Sequence, residues 1–272
     1  MNPKSSHKPT RTLDRNLIAS LAHGLSVLEA IAAHKGDIPL ATLATVVGLK
    51  KTSTWRLVHT LAELGYVRQD PKTRNFSPAP RVLSLGYAYF DGLDLKQLSA
   101  PFLQELATFC NETVNLAVQD GDELVYIERI RSPQIVNINL HVGSRIPLYN
   151  TSMGRALICE KPDSWLDEYM QRIEKDQKAQ EYLRDDQPGL RRILSETRRL
   201  GYATNDEELT RGLRGVASPI RGASGEIVGA VGISVPSSRA TLADLRRKYV
   251  PELLATSDKI SLTLGHRRKP ER

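Results

Sequence analysis

The sequence predicts an α+β fold in two domains: an N-terminal winged helix-turn-helix domain, a linker helix, and a larger C-terminal domain built on an antiparallel sheet. Three observations lead to this prediction. Amphipathic helices, a tight turn and two short strands follow one another in the first eighty residues, and the net positive charge lies there too. In the remainder, strands are grouped before and after helices, as in α+β domains. A chain of 272 residues is long enough for two separate cores.

Three helices are predicted in the first domain because apolar residues recur at spacings of three and four. Their expected bounds are 20–34, 39–47 and 51–64. Pro39 stands where proline suits a first helical turn, and Gly48 tolerates the left-handed turn that separates the second and third helices. Trp55, Val58 and Leu61 carry the apolar period of the third helix, so we assign them to the core.

A basic wing and a linker helix should follow the third helix. Two short strands, at 66–70 and 76–78, enclose a polar turn that is rich in cations, which is the pattern of a β-hairpin. Segment 81–90 has helical period before Gly92. The predicted organisation is a flexible basic N-terminus at 1–16, the winged helix-turn-helix domain at 17–80, the linker helix at 81–94, the second domain at 95–265 and a basic tail at 266–272.

The second domain is predicted to hold at least five strands, with Gly121 at one hairpin turn and residues 222–225 at another. The expected strands are 114–118, 123–129, 135–141, 215–220 and 227–234. The expected helices are 95–109, 152–159, 165–173, 189–200 and 241–264.

Charge is divided unequally between the two domains. Residues 1–81 hold 12 Lys and Arg against 5 Asp and Glu, whereas the rest holds 26 of each. The whole net charge of +7 therefore belongs to the first third of the chain. A basic domain joined to a neutral one is expected when only the first must approach a polyanion, so nucleic acid is the leading partner.

The start of the third helix carries side chains suited to the major groove, since cations can bind phosphate or guanine and hydroxyls can bind phosphate or base edges. These candidates are Lys50, Lys51, Thr52, Ser53, Thr54 and Arg56, joined at the wing by Arg68, Lys72 and Arg74. His59 is open between groove and surface. The alternative is a protein-interaction module whose cations form a solvated face.

Other functional classes find little support. No nucleophile elbow, phosphate-binding loop or dinucleotide fingerprint is present, and the six histidines lack metal-ligand spacing, so neither an enzyme, a metal site nor a cofactor is expected. The acidic pairs 185–186 and 207–208 are interpreted as solvated charge. Cys110 and Cys159 are expected to be reduced core thiols. No apolar run reaches the length of a membrane span and no signal-peptide core follows the N-terminus, so a cytoplasmic location is expected.

The chain resembles the IclR family of bacterial regulators over about residues 18–264. The resemblance rests on GLKKTSTWRLVHTLAELGYV at 48–67, VGSRIPLYNTSMGRAL at 142–157, and GYATNDEELTRGLRGVASPI at 201–220 with SGEIVGAVGISVPSSR at 224–239. RVLSLGYAY at 81–89 is similar to the linker of the branch that regulates degradation of aromatic acids such as protocatechuate and 4-hydroxybenzoate. The resemblance implies a double-stranded DNA operator, a GAF-like domain that binds a small organic acid, and a homodimer or homotetramer.

The same resemblance implies an effector pocket. Matching family members that bind small acids places it at Ile135, Ile138, Ser152, Asn205, Leu213, Gly215, Gly232 and Ser234. This chain has glycine at 215 and 232 where those members have small polar residues, and asparagine at 205 where they have a carboxylate. These differences favour a bulkier anion, such as an aromatic acid. Glycine at these positions could equally serve close strand packing, and Ser152 could simply cap its helix.

Arg145 and Arg155, which flank the second motif, could pair with an effector or form salt bridges. The proposed mechanism has two states, in which the effector alters how the second domains associate and the linker helix transmits this to the spacing of the recognition helices. Family members either release DNA or recruit RNA polymerase, and the sequence leaves both open. A ligand-sensing scaffold that acts through protein partners is the competing hypothesis.

Overall fold

The computed structural model describes residues 17–85, 94–132, 140–175 and 177–267. The predicted basic N-terminus at 1–16, Ile135, Ile138, most of the linker helix and the last five residues of the tail lie outside the described residues. The chain divides into two compact units, residues 1–92 and 93–272. Within the described part of the chain, no helix is long and apolar enough to cross a bilayer.

The N-terminal unit has the predicted winged helix-turn-helix architecture. Its helices are α1 (Ala19–Ala33), α2 (Leu40–Val46) and α3 (Lys51–Glu63), followed by a hairpin of β1 (Val67–Gln69) and β2 (Phe76–Pro78) and by a helical turn, α4, at 81–85. Val27, Ile31, Leu43 and Val58 pack with Phe76 in one core. With Val67 of β1, the three helices α1–α3 and both strands each contribute an apolar side chain to this small core.

The turn between α2 and α3 fixes where the third helix begins. Gly48 has a φ of +68°, a left-handed conformation that costs glycine little because it has no Cβ. The neighbouring amide of Leu49 donates to the carbonyl of Ala44 at 3.1 Å, which closes the end of α2. The chain can then restart as α3 at Lys51.

The C-terminal unit is built on a six-stranded antiparallel sheet, which confirms the predicted α+β class. Its strands are β3 (Thr113–Asp120), β4 (Glu123–Ile130), β5 (Arg145–Pro147), β6 (Ala203–Asp206), β7 (Leu213–Arg221) and β8 (Ile227–Pro236), in the order β5-β4-β3-β8-β7-β6. The hairpins β3-β4 and β7-β8 turn at Gly121 and at residues 222–225, as predicted.

Helices cover both faces of this sheet. They are α5 (Asp94–Cys110), α6 (Ser152–Ile158), α7 (Asp163–Ile173), α8 (Gln177–Leu200), α9 (Leu242–Asp244) and α10 (Val250–Thr263), with a π-helical turn at Leu245–Tyr249 between the last two. α5 and α10 pack on one face, where Ser218 and Ser257 share a hydrogen bond of 2.8 Å. α6 packs on the other face, against β7 and β8.

Several elements differ from the sequence prediction. The strands β5 and β6 were not predicted, because three or four residues are too few to establish a period of two. The expected strand at 135–141 falls mostly outside the described residues. The expected helix at 241–264 is interrupted by the π-turn, in which the Val250 amide donates to the Leu245 carbonyl. Pro251 follows and has no amide hydrogen to donate to a regular helix.

Candidate DNA interface and effector site

The exposed face of α3 differs from the predicted one at two residues, Thr54 and Trp55. Thr54 was expected to face DNA, but its exposed fraction is 0%, and it lies in the core with Val58. Its hydroxyl donates to the carbonyl of Lys50 at 3.2 Å, so the buried hydroxyl is satisfied within the helix. Trp55 was expected in the core, but it is 49% exposed. The assignments of Thr54 and Trp55 were therefore wrong.

The error came from ranking residues by apolarity alone. Thr54 is close to valine in shape and lies four residues before Val58, so these two form one helical stripe. On a helical wheel, Trp55 lies about 100° from Thr54 and therefore outside the stripe formed by Thr54 and Val58. Trp55 stacks instead on His59, one turn later, with ring centroids 5.0 Å apart and planes 6° from parallel. Sequence reasoning missed this exposed aromatic pair.

The remaining helix candidates are exposed. Lys50 is the N-cap residue of α3, and Lys51, Thr52 and Ser53 form its exposed first turn. Arg56 and Ser53 also border a groove between α1 and α3, whose lining includes Leu21, Leu25 and Leu64. Cations and hydroxyls thus surround Trp55 on the outside of α3.

The wing presents its cations on a constrained turn. The Asp70 carboxylate accepts hydrogen bonds from the amides of Lys72 at 2.8 Å and Thr73 at 2.7 Å, and these two bonds lower the pKa of Asp70. Arg74 has a φ of +60°, and its amide donates to the Asp70 carbonyl. Arg68, on β1, donates from Nε to the Ser77 hydroxyl across the hairpin. Lys72 and Arg74 are both exposed at the tip.

One cavity brings together the described candidates for effector binding. It lies between the sheet and α6, and the space inside it is about 30 Å³, or about 360 Å³ when the open solvent at its mouth is counted. Six predicted residues line it: Ser152, Asn205, Leu213, Gly215, Gly232 and Ser234. The lining also includes Tyr126, Ile146 and Met153, which were not predicted. The enclosed space holds about one or two water molecules and is far below the roughly 300 Å³ at which ligand cavities commonly begin, so a ring-sized ligand requires the lining side chains to move.

Register explains how distant segments meet at this cavity. Gly215 on β7 pairs with Asn205 on β6 and with Ser234 on β8, so the three residues stand side by side. The Asn205 amide nitrogen donates to the Asn150 carbonyl at 2.6 Å. The side-chain oxygen of Asn150 is buried and has no hydrogen-bond partner among the described residues. A buried acceptor that lacks a partner among those residues therefore lies just before Thr151, the first of the lining residues at the start of α6.

The two cavity glycines make room for α6. A Cβ at Gly215 would lie 2.8 Å from the Ser152 hydroxyl, and one at Gly232 would lie 2.7 Å from Cγ of Met153. The space at both positions is thus filled by side chains of α6. This supports the close-packing interpretation that the sequence left open, and it places the open part of the cavity elsewhere along the wall.

The two motif arginines form salt bridges within the protein. Arg155 is only 2% exposed and pairs with Glu208, while its other donors reach the carbonyls of Tyr149 and Thr204. Arg145 pairs on the surface with Asp120 and Glu123.

The interpretation of the 207–208 pair as solvated charge was wrong. Glu208 holds the buried Arg155, and Glu207 pairs with Arg214. The sequence does not indicate the pairing of Glu208 with Arg155, because the two residues are about fifty positions apart. They meet only through the packing of α6 beside β6.

Both cysteines are buried and free, as predicted. Burial raises the pKa of the Cys159 thiol to about 11 and also raises the pKa of Cys110. Neither thiol has the lowered pKa of a reactive cysteine. Among the described residues, no group of three His, Cys, Asp or Glu side chains could hold a metal ion.

Two family models match the chain. The helix-turn-helix domain model of the IclR family matches residues 20–71, and the C-terminal model of the bacterial transcriptional regulator IclR matches residues 87–262. The Pca regulon regulatory protein of Pseudomonas putida is 34% identical over 247 residues, which are 90% of this chain and 84% of that protein.

Solved structures agree with this assignment. A transcriptional regulator from Rhodococcus sp. RHA1 is 34% identical with a TM-score of 0.74, and the match covers 91% of this chain and 98% of that one. An IclR homologue from Microbacterium hydrocarbonoxydans, solved with 4-hydroxybenzoate, shares the fold with a TM-score of 0.74 at 20% identity, over 90% of this chain and 98% of that one. Known relatives are regulators rather than enzymes. The chain belongs to the IclR family of DNA-binding transcriptional regulators.

Proposed function

We propose that this regulator is controlled by a small organic acid, an aromatic monocarboxylate, which binds in the cavity between the sheet and α6. The observation that carries the proposal is the convergence of six effector-binding candidates on one cavity, although they come from α6, β6, β7 and β8. Tyr126 and Ile146 add an apolar wall against which an aromatic ring can pack. The homologue solved with 4-hydroxybenzoate supports the capacity of this fold to hold such an acid.

The DNA interface in this proposal combines α3 and the wing. Lys50, Lys51, Thr52 and Ser53 approach phosphates and base edges in the major groove, and Arg56 lies at the margin of that face. We add Trp55 and His59 to this set, because their stacked rings are exposed on the same helix. Lys72, Arg74 and Arg68 of the wing contact the adjacent backbone or minor groove.

The active species in this proposal is a homodimer or a pair of dimers. Leu21 and Leu25 on α1 are 61% and 52% exposed, and Leu83 on α4 is 71% exposed. Large apolar side chains grouped on a helix in this way are typical of a surface that another copy covers. The effector then acts by changing the spacing of two recognition helices, which sets the affinity for two half-sites.

Fluorescence anisotropy with labelled DNA from the region upstream of the neighbouring gene tests this function. Wild type is expected to bind tightly, with affinity that falls steeply with salt and shifts when the right aromatic acid is added. Lys51→Ala should weaken binding and reduce the salt slope by about one. Thr54→Val is the matched control. It should leave DNA affinity unchanged, because Thr54 is buried in the same helical turn.

Sedimentation of the same samples reports whether dimers form. Binding no tighter than to random DNA, together with indifference to Lys51→Ala, would contradict the DNA interface and favour a sensor that acts through protein partners. Specific DNA binding that no acid alters would contradict the effector proposal alone.

A further inference from the structure

Three arginines near the cavity already have carboxylate partners. Arg155 pairs with Glu208, and Arg145 pairs with Asp120 and Glu123. Arg214 lines the cavity, but its Nε lies 2.6 Å from Asp206 and its Nη2 lies 3.4 Å from Glu207. An incoming carboxylate would have to compete with the protein's own anions at each of these side chains.

Arg129 lies on the face of the sheet that borders the cavity, and its partners differ from those of these three arginines. It stands opposite Asn115 on β3, and Asn115 stands opposite Gly232, which lines the cavity. Directly opposed residues of neighbouring strands point to the same face of a sheet. Arg129, Asn115 and Gly232 therefore form one row that runs across the sheet to the cavity.

Hydrogen bonds join Arg129 to the cavity wall. Its Nη1 donates to the side-chain oxygen of Asn115 at 3.0 Å, and the Asn115 nitrogen donates to the hydroxyl of Ser234 at 3.1 Å. Asn115 is fully buried, and Ser234 lines the cavity. The guanidinium carbon also lies 5.9 Å from the ring centroid of Tyr126, another lining residue.

The guanidinium of Arg129 lacks an anion. Its Nε is buried and has no hydrogen-bond partner among the described residues, and no carboxylate of those residues lies within 4.0 Å of it. Burial lowers the pKa of Arg129, and the nearby cation Arg131 lowers it further. A partly buried cation without a counter-charge is unfavourable, unless a ligand supplies the missing anion.

We propose that Arg129 is the residue that binds the carboxylate of the effector. This assignment rests on the proposed function of the cavity and specifies it: the ligand is an anion whose carboxylate reaches Arg129 while its ring packs along Tyr126. A guanidinium binds a carboxylate through paired hydrogen bonds, and the Nε of Arg129 is a donor without an acceptor in the described part of the chain. Because this atom is buried and Arg129 does not itself line the cavity, the ligand has to displace the packing around the guanidinium to reach it. The site therefore selects acids over the corresponding amides.

Isothermal titration calorimetry on the full-length protein tests the assignment with 4-hydroxybenzoate, protocatechuate and benzoate, each compared with its carboxamide. Wild type is expected to bind one acid roughly tenfold to a hundredfold more tightly than the amide. Arg129→Gln should weaken acid binding by the same factor and leave amide binding unchanged. Arg145→Gln, which removes the same charge from the surface, should not change either affinity.

Equal acid binding by wild type and Arg129→Gln would overturn the assignment while leaving the effector proposal in place. Failure of every acid to bind wild type would instead overturn the effector proposal, and the assignment with it. A ligand-free measurement distinguishes a structural role: Arg129→Met should lower the melting temperature far less than Arg155→Met, because it removes a charge without a counter-charge among the described residues and leaves only the Asn115 side-chain oxygen without its donor. A fall as large as that of Arg155→Met would mean that Arg129 is a structural anchor, contrary to the proposal.

Discussion

Removal of the Glu208 carboxylate should destabilise the C-terminal unit, because it leaves a buried charge without its partner. Arg155 is 2% exposed, and Glu208→Gln would remove its carboxylate partner while leaving neutral acceptors such as the carbonyls of Tyr149 and Thr204. Breaking a buried ion pair from one side costs about 3–5 kcal/mol. The Glu208 side chain is 28% exposed, so water can partly replace it and the lower limit, about 3 kcal/mol, applies.

This loss corresponds to a fall in melting temperature of about 6–12 °C for a unit of this size. Urea unfolding should be followed by the fluorescence of Trp165 in a Trp55→Phe background, because the chain has two tryptophans and Trp165 belongs to the C-terminal unit. Its ring stacks on Tyr169 at 5.1 Å, so unfolding changes its surroundings.

Glu123→Gln provides the matched control, since Glu123 pairs with Arg145 at a surface where both side chains are more than 40% exposed. Exposed pairs contribute about 0–1 kcal/mol. The double variant Arg155→Met/Glu208→Gln should recover much of the lost stability, because it removes both charges. If Glu208→Gln cost no more than Glu123→Gln, the reasoning that Arg155 depends on Glu208 would be refuted.

Two further predictions concern packing and thiol chemistry. Gly154→Ala should destabilise the C-terminal unit by about 3 kcal/mol, because a Cβ at this position would overlap the backbone of Leu148. Gly24→Ala is the control and should be neutral or slightly stabilising, because its Cβ would meet its nearest neighbour at 4.0 Å. Thermal denaturation of both variants compares the two effects. Cys159 and Cys110 should resist an aromatic disulfide reagent at pH 8 in the folded protein and react in urea. A pKa of about 11 leaves about one Cys159 thiol in a thousand ionised at that pH, so rapid labelling of folded protein would contradict the burial of these thiols.

Local patterns along the chain were sufficient to predict the order and type of most elements. The helical spacing before Gly48, the paired short strands of the wing and the apolar runs around Gly121 each depend on neighbours within a few residues. The separation of charge between the two domains is likewise a property of composition, and it indicated a nucleic-acid partner without any knowledge of the fold. The motifs shared with the IclR family also indicated which residues line the cavity.

Contacts between distant segments decided the rest. Thr54 rather than Trp55 enters the core of the first unit because packing selects the stripe that continues through Val58, and apolarity alone does not determine that phase. Glu208 became the partner of a buried arginine only when α6 packed beside β6. Arg129 and Asn115 meet through strand register, and the Asn115 side chain reaches the cavity residue Ser234, which lies 119 positions later in the chain. Strand register and burial depend on the packing of the whole sheet, so they cannot be predicted from a single segment of sequence.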